Sequence, residues 1–262
     1  MILHESFDWP LVSVIVPVLN GERFIGRCLD CLLQQRYPSE RLEVIFVDND
    51  STDETANIIQ SFGLKSIRVT RKGPGAARTE GLKIASGEII VFIDVDCLAA
   101  RDLILHHVLA HKHFKLNEPR IMMIGGAVLG YNQNIWSICD DFCSWFANHP
   151  SLPPGFIPFH PTANLSLRKE LIDAGYIFDE TLISGEDFDL CTRVTRAGYG
   201  IYFEPKALVY HINRIHFLGF LNHARDWTLS EYEMRQKGTV ISVKLNIFQW
   251  ILVYGAVFGG KV

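Results

Sequence analysis

IIVFIDVDC, residues 89–97, decides how this chain is read. Its five apolar residues, Ile89–Ile93, suit one strand covered on both faces, and the run stops at two aspartates one residue apart, Asp94 and Asp96. Side chains alternate along a strand, so both carboxylates are expected on one side, opposite Ile93 and Val95. They repel each other unless positive charge lies between them. An oxygen-only pair of this kind suits a hard divalent cation, Mg2+ or Mn2+.

Working outward, three more apolar runs lie upstream, Val12–Val18, 44–47 and 67–70. Helical spacing follows each of them, over residues 21–35, 51–62 and 75–85. Ser51 and Glu54 have capping-box spacing at the start of the second helix. Strand and helix in alternation predict βαβ units and a parallel sheet, with ligands gathering outside the carboxyl ends of the strands. Those ends carry Asn20, residues 48–53, residues 72–75, and the aspartates. In RKGPGAARTEG, Arg71, Lys72 and Arg78 offer positive charge, while Gly73 and Gly75 let backbone approach a ligand closely. Neither a Walker loop nor a GxGxxG after the first strand is present, which argues against a dinucleotide oxidoreductase.

The chain has 262 residues, is 48% hydrophobic and carries a formal net charge of -4, so it can bury a sizeable core and shows no footprint for nucleic acid. Six cysteines without regular spacing read as buried thiols of a reducing compartment. Cys28 and Cys31 share a helical face with Phe24 and Leu32 and are expected in the core. MILHESFDWP lacks the pattern of a secretory signal, so a cytoplasmic protein is expected.

The second half is less regular. Apolar residues at 135, 138, 139, 142, 143 and 146 form a helical stripe, in which Trp136 and Trp145 are read as packing residues rather than sugar platforms. Phe188, Cys191 and Val194 suit a helix beginning near Glu186. Residues 240–257 are mostly apolar but contain Lys244, Asn246 and Gln249, which argues against a clean spanning helix of about 20 residues. Trp250 and Tyr254 favour membrane contact through residues 240–258.

VSVIVPVLNGERFIGRCLDCLLQQ, VDNDSTDET, GPGAARTEGLKIASGE, FIDVDC and GEDFDLCTRVTRAGY, in that order, resemble the family 2 glycosyltransferases over about Leu11 to His211. The resemblance implies a GT-A fold: α/β, with a Rossmann-like, mostly parallel central sheet flanked by helices. It divides the chain into a transferase domain, 1–211, and a helical extension, 212–262. It further implies inverting, Mn2+- or Mg2+-dependent transfer from a nucleoside-diphosphate sugar to a lipid-linked or surface-glycan acceptor, in polysaccharide biosynthesis at the inner face of the cell membrane. A non-catalytic nucleotide-sugar-binding module at a membrane is the alternative.

Carried over by position, Pro17, Asn20 and Glu22 would line the nucleotide pocket, and Asp48 and Asn49 would contact base and ribose. Asn49 stands where an aspartate is frequent, and its amide can donate as well as accept. Lys72 and Arg78 would lie near the diphosphate, Asp94 at ribose or metal, and Asp96 on the metal. His211 would complete metal or phosphate binding. Asp187 would be the catalytic base, with Glu186 beside it. A helix N-terminus there favours the ionised carboxylate and makes it a weak base. Asn164 and Arg168 would face the acceptor. Arg225 and Trp227 in HARDW lack the glutamine and spacing of the QxxRW box, so a non-processive enzyme is expected.

Overall fold

The computed structural model describes residues 8–182, 184–223 and 225. The first half runs β1 (Val12–Val18), α1 (Ile25–Leu33), β2 (Leu42–Asp48), α2 (Thr55–Ser61), β3 (Lys65–Arg68), α3 (Pro74–Ile84) and β4 (Ile89–Ile93). The second adds β5 (Cys97–Ala99), α4 (Leu103–Asn117), β6 (Ile121–Gly130), α5 (Ile135–Trp145), β7 (Gly155–Ile157), β8 (Asn164–Arg168), α6 (Lys169–Asp173), α7 (Glu186–Arg196) and β9 (Gly200–His211). These strands form one sheet in the order β3-β2-β1-β4-β8-β6-β9-β5, with β7 on β9.

Period two divides each early strand between two apolar layers. Val14 and Val16 pack with Cys28 and Leu32 of α1 and Leu103 of α4, while Ile15 packs on the other face with Ala77 and Leu82 of α3 and Leu190 of α7. Gly81 permits the close approach of α3 to the sheet, because a Cβ there would stand 2.6 Å from Ile15 Cγ2.

Strands β1 to β4 pair in parallel as the alternation predicts. The whole sheet is mixed, since β8 enters antiparallel between β4 and β6, and β9 runs parallel to β6 but antiparallel to β5 and β7. Two local expectations change. The third strand is Lys65–Arg68 rather than 67–70, because Asn49 captures the carbonyls of Val69 and Arg71. Ser51 does not cap α2; its hydroxyl accepts instead from the backbone of Asn20 in the neighbouring loop. Of the six thiols, Cys28, Cys97 and Cys191 are buried, whereas Cys31 is only half-buried.

Candidate active site

At the carboxyl edge of the sheet the loops after β1 and β2 hold each other. The Asn20 N–H donates to Ser51 Oγ at 2.9 Å, and the Thr52 N–H donates to Asn20 Oδ1 at 2.9 Å. The Glu54 N–H donates to Glu22 Oε2, and the Glu22 N–H donates to Asp53 Oδ2, both at 3.2 Å. Asn20 and Glu22 thus tie the two loops together, at the end of the strand that carries half-buried Pro17. Asp48 is buried beneath them. Its Oδ1 accepts from the Ser51 N–H at 3.0 Å, while Oδ2 has no hydrogen-bond partner and lies 3.9 Å from Arg68 Nε. A buried acceptor left in that state is a ready partner for a ligand donor.

Asn49 does not present its amide to a ligand. Its Nδ2 donates to the carbonyls of Val69 and Arg71, at 3.2 and 2.6 Å, and its Oδ1 accepts from the Gly73 N–H. A carboxylate there could accept but not donate, so the asparagine suits a clamp on the loop that carries exposed Lys72.

The repulsion between the two aspartates is resolved by separation. β4 ends at Ile93, and the following turn sends the side chains to different partners. Asp94 accepts from Arg78 Nη2 at 2.8 Å, and Asp96 Oδ2 lies 3.4 Å from His211 Nε2. Strict alternation does not extend past the strand, so the expected shared side is replaced by two cationic addresses. Arg78 is itself buried, and its other Nη donates to Glu186. It therefore bridges two carboxylates rather than lying open for a diphosphate.

Ligand atoms of Asp96, Cys97 and His211 lie within 4.8 Å of one another. Two donors each about 2.1 Å from one cation stand about 3.0–3.4 Å apart, which the Asp96–His211 pair matches. Burial pushes the Cys97 thiol well up and keeps it protonated, leaving carboxylate and imidazole as the donors for a divalent ion. Burial alone would raise the Asp96 carboxyl, but the charge and hydrogen bond of His211 hold it below its ordinary value; burial would lower His211, and Asp96 raises it.

Sequence reasoning missed the support behind this pair. Asn213 Oδ1 lies 2.6 Å from His211 Nδ1 and also accepts from Trp145 Nε1, while its Nδ2 donates to the Ser137 carbonyl of α5. An acceptor at Nδ1 puts a proton there and directs Nε2 to Asp96. The Trp145 ring packs 4.8 Å from the His211 ring, as a packing residue should. A polar residue two positions beyond the histidine was the available signal.

α7 begins at Glu186, after Gly185 in the left-handed region with φ 76°. α3 reaches it through Gly75, where a Cβ would stand 3.1 Å from Glu186 Cβ. Glu186 is buried on Arg78, and half-buried Asp187 accepts from the Phe188 N–H at 2.7 Å and the Thr162 N–H at 3.4 Å. Burial, with the charge of Glu186 second, pushes the Asp187 carboxyl up to about 7. The carboxyl thus stands above rather than below its ordinary value, because burial and a like charge outweigh Arg78 and the two backbone hydrogen bonds.

Asn164 and Arg168 do not join this site. Asn164 is fully buried, donating to the carbonyls of Ala127 and Ala207 and accepting at 2.9 Å from His107 Nε2. Arg168 pairs in register with Ile89 at the opposite end of β4, where its guanidinium donates to the Pro119 carbonyl. Residues 226–262, including Trp227 and the apolar stretch, lie outside the described residues; among the described ones no helix is long and apolar enough to cross a membrane.

Known proteins resemble this chain in sequence and fold. The chain is 23% identical over 264 residues to a dolichyl N-acetyl-alpha-D-glucosaminyl phosphate 3-beta-D-2,3-diacetamido-2,3-dideoxy-beta-D-glucuronosyltransferase of Methanococcus voltae, covering 94% of this chain and 79% of that protein. It is 29% identical to the glycosyltransferase AglE of Haloferax volcanii, over 77% of this chain and 67% of the relative. A mannosyltransferase from Pyrobaculum calidifontis, solved in complex with GDP-Man and Mn2+, superposes with a TM-score of 0.66 at 23% identity, covering 94% of this chain and 69% of its own. The family model described as glycosyl transferase family 2 matches residues 13–163. Fold and family agree: this chain belongs to glycosyltransferase family 2 and is a glycosyltransferase with the GT-A fold.

Proposed function

We propose that this glycosyltransferase moves a sugar, with inversion at the anomeric carbon, from a nucleoside-diphosphate sugar to a hydroxyl of a lipid-linked or surface-glycan acceptor at the cytoplasmic face of a membrane. The observation that carries the reading is the Arg78 bridge, which ties the turn bearing Asp94 and Asp96 to Glu186 and so to Asp187. Donor groups and base are thereby held on one rigid frame.

In this reading the nucleotide lies against Pro17 and the interlocked loops of Asn20 and Glu22, with Asp48 Oδ2 free to accept from it. Exposed Lys72 offsets charge on the diphosphate. Asp96 and His211 would hold Mn2+ or Mg2+, which when bound would offset the charge of the departing diphosphate. Asp187 takes the proton of the acceptor hydroxyl as its oxygen attacks the anomeric carbon from the face opposite the leaving group. A carboxyl near 7 matches that task better than one at its ordinary value, because it accepts the proton with more driving force and is still ionised in part at neutral pH. The dolichyl-linked sugar phosphate of one relative's name and the GDP-Man bound by a structural neighbour support the substrate class without selecting the sugar or base.

The test is release of free nucleoside diphosphate from a panel of UDP-, GDP- and dTDP-sugars with Mn2+ or Mg2+ and membrane lipid extract. We expect turnover with one donor, and loss of it in Asp96→Ala and Asp187→Asn, with donor binding retained in Asp187→Asn. Metal-dependent donor binding without turnover in the native chain would overturn catalysis in favour of a binding module.

A further inference from the structure

The apolar stripe of α5 faces outward. Ile135, Ile138, Phe142 and Phe146 fall within one narrow band at helical spacing, and each is between 50% and 63% exposed. The opposite side of the helix is polar and buried, with Ser137 accepting from Asn213 and Asp140 accepting from His223 and the Arg214 backbone. An amphipathic helix on a globular domain ordinarily buries its apolar stripe; here the polar side is the anchored one. Phe217 and Leu218, 47% and 71% exposed, extend the apolar surface past Trp136, whose ring lies 4.8 Å from that of Phe217. A contiguous patch of this kind marks an interaction surface.

We propose that the outward stripe of α5, continued by Phe217 and Leu218, seats the protein on a lipid bilayer bearing anionic headgroups, beside the Asp96–His211 side of the site. Charge favours that occupant. Exposed Arg27 lies over the Tyr131 ring just before α5, and Arg214 offsets the charge of Asp140 on the buried side of the helix. Both acids of α5 turn inward, Asp140 to His223 and Asp141 toward Gly130, so the stripe presents no negative charge. An apolar band with aromatic and arginine neighbours is the composition of an interfacial helix. The position favours it as well. α5 is bonded through Asn213 to His211, so a bilayer against the stripe would bring a membrane-held acceptor to the site. The inference rests on the reading of a lipid-linked acceptor, but its test requires no turnover.

The full chain carrying Phe142→p-benzoylphenylalanine is irradiated with vesicles of phosphatidylglycerol and phosphatidylcholine, beside vesicles of phosphatidylcholine alone. The control places the same probe at Leu116, an equally apolar and 84% exposed residue of α4. We expect a lipid adduct at 142 at least ~5-fold above that at 116, and stronger with phosphatidylglycerol. An unfolding midpoint equal to that of the native chain establishes that the probe leaves the fold intact. A crosslink from 142 to residues 240–257 would overturn the proposal by showing that the chain covers its own stripe. A crosslink to a second copy, or no adduct at all, would overturn it equally.

Discussion

In the proposed reaction Asp187 and Asn213 are the residues whose environments matter most. Asp187 sits among groups that push its carboxyl up to about 7, so kcat/KM should rise with pH through that value and flatten above it. Asp187→Asn should lower kcat by about 10²–10⁴-fold with little change in donor affinity, measured by steady-state assay and equilibrium binding. The same shift acts on stability. A folded carboxyl that holds its proton more tightly than the unfolded chain stabilises fully below the ordinary aspartate range, and that contribution is lost as pH rises through about 7. Asp187→Asn should therefore raise the thermal midpoint at about pH 8 and change it little near pH 4. Asn213 holds the imidazole of His211 by its Nδ1. Asn213→Ala should weaken Mn2+ binding by about 10–100-fold in a calorimetric or spin-resonance titration, while the chain stays folded. The aspartates, lysine and glutamate of the site were legible as residue types at strand ends, because their spacing is local. The anchoring of Asn213 on α5 and the bonds made by Asn49 and Arg78 were not, since each needs a partner on another element, 20 or more positions away.

At the scale of elements, β8 and α4 meet through a buried polar chain. His107 Nε2 donates to Asn164 Oδ1, His107 Nδ1 lies 2.8 Å from Ser166 Oγ, and His111 Nε2 lies 2.8 Å from the same hydroxyl. Burial lowers His107 and His160 to about 4 and holds His111 well below its ordinary value, so all three are neutral in the folded chain at neutral pH. A histidine whose pKa falls on folding stabilises above its ordinary value, and the contribution is lost as pH drops toward about 4. His107 and His160 should each remove on the order of 2–3 kcal/mol between about pH 6.5 and 4, visible as a steep acid limb in denaturant unfolding at successive pH values. This network is also why Asn164 is no acceptor ligand: β8 carries its polar residues toward α4 and the β6–β9 edges, not toward the site. The sequence pattern of β8, NLSLR, alternates polar and apolar residues and would fit either assignment.

Across the whole molecule, one buried guanidinium joins two parts of the chain that are over 100 positions apart. Arg78 of α3 reaches back to Asp94 and across to Glu186. Removing it leaves the buried Glu186 carboxylate unpaired, near a partly exposed Asp94, so Arg78→Gln should destabilise by about 3–5 kcal/mol in equilibrium unfolding and depress turnover well beyond a neutral surface change. Arg78→Lys should recover only part of either, because an ammonium cannot fork to two carboxylates. The amino-acid sequence alone determined the parallel β1 to β4 core, and it placed at the carboxyl edge of that core the aspartates on which the proposed reaction draws, along with the helix start at Glu186–Asp187. Those features follow from hydrophobic period and strand-end position, which are properties of neighbouring residues. Tertiary structure alone decided the antiparallel entry of β8, the parting of Asp94 from Asp96, the pairing of Asp96 with His211, the upward shift of Asp187, and the outward turn of the α5 stripe. Each of these depends on which distant groups share a small volume and on how much water is excluded there, and neither quantity is written in local spacing.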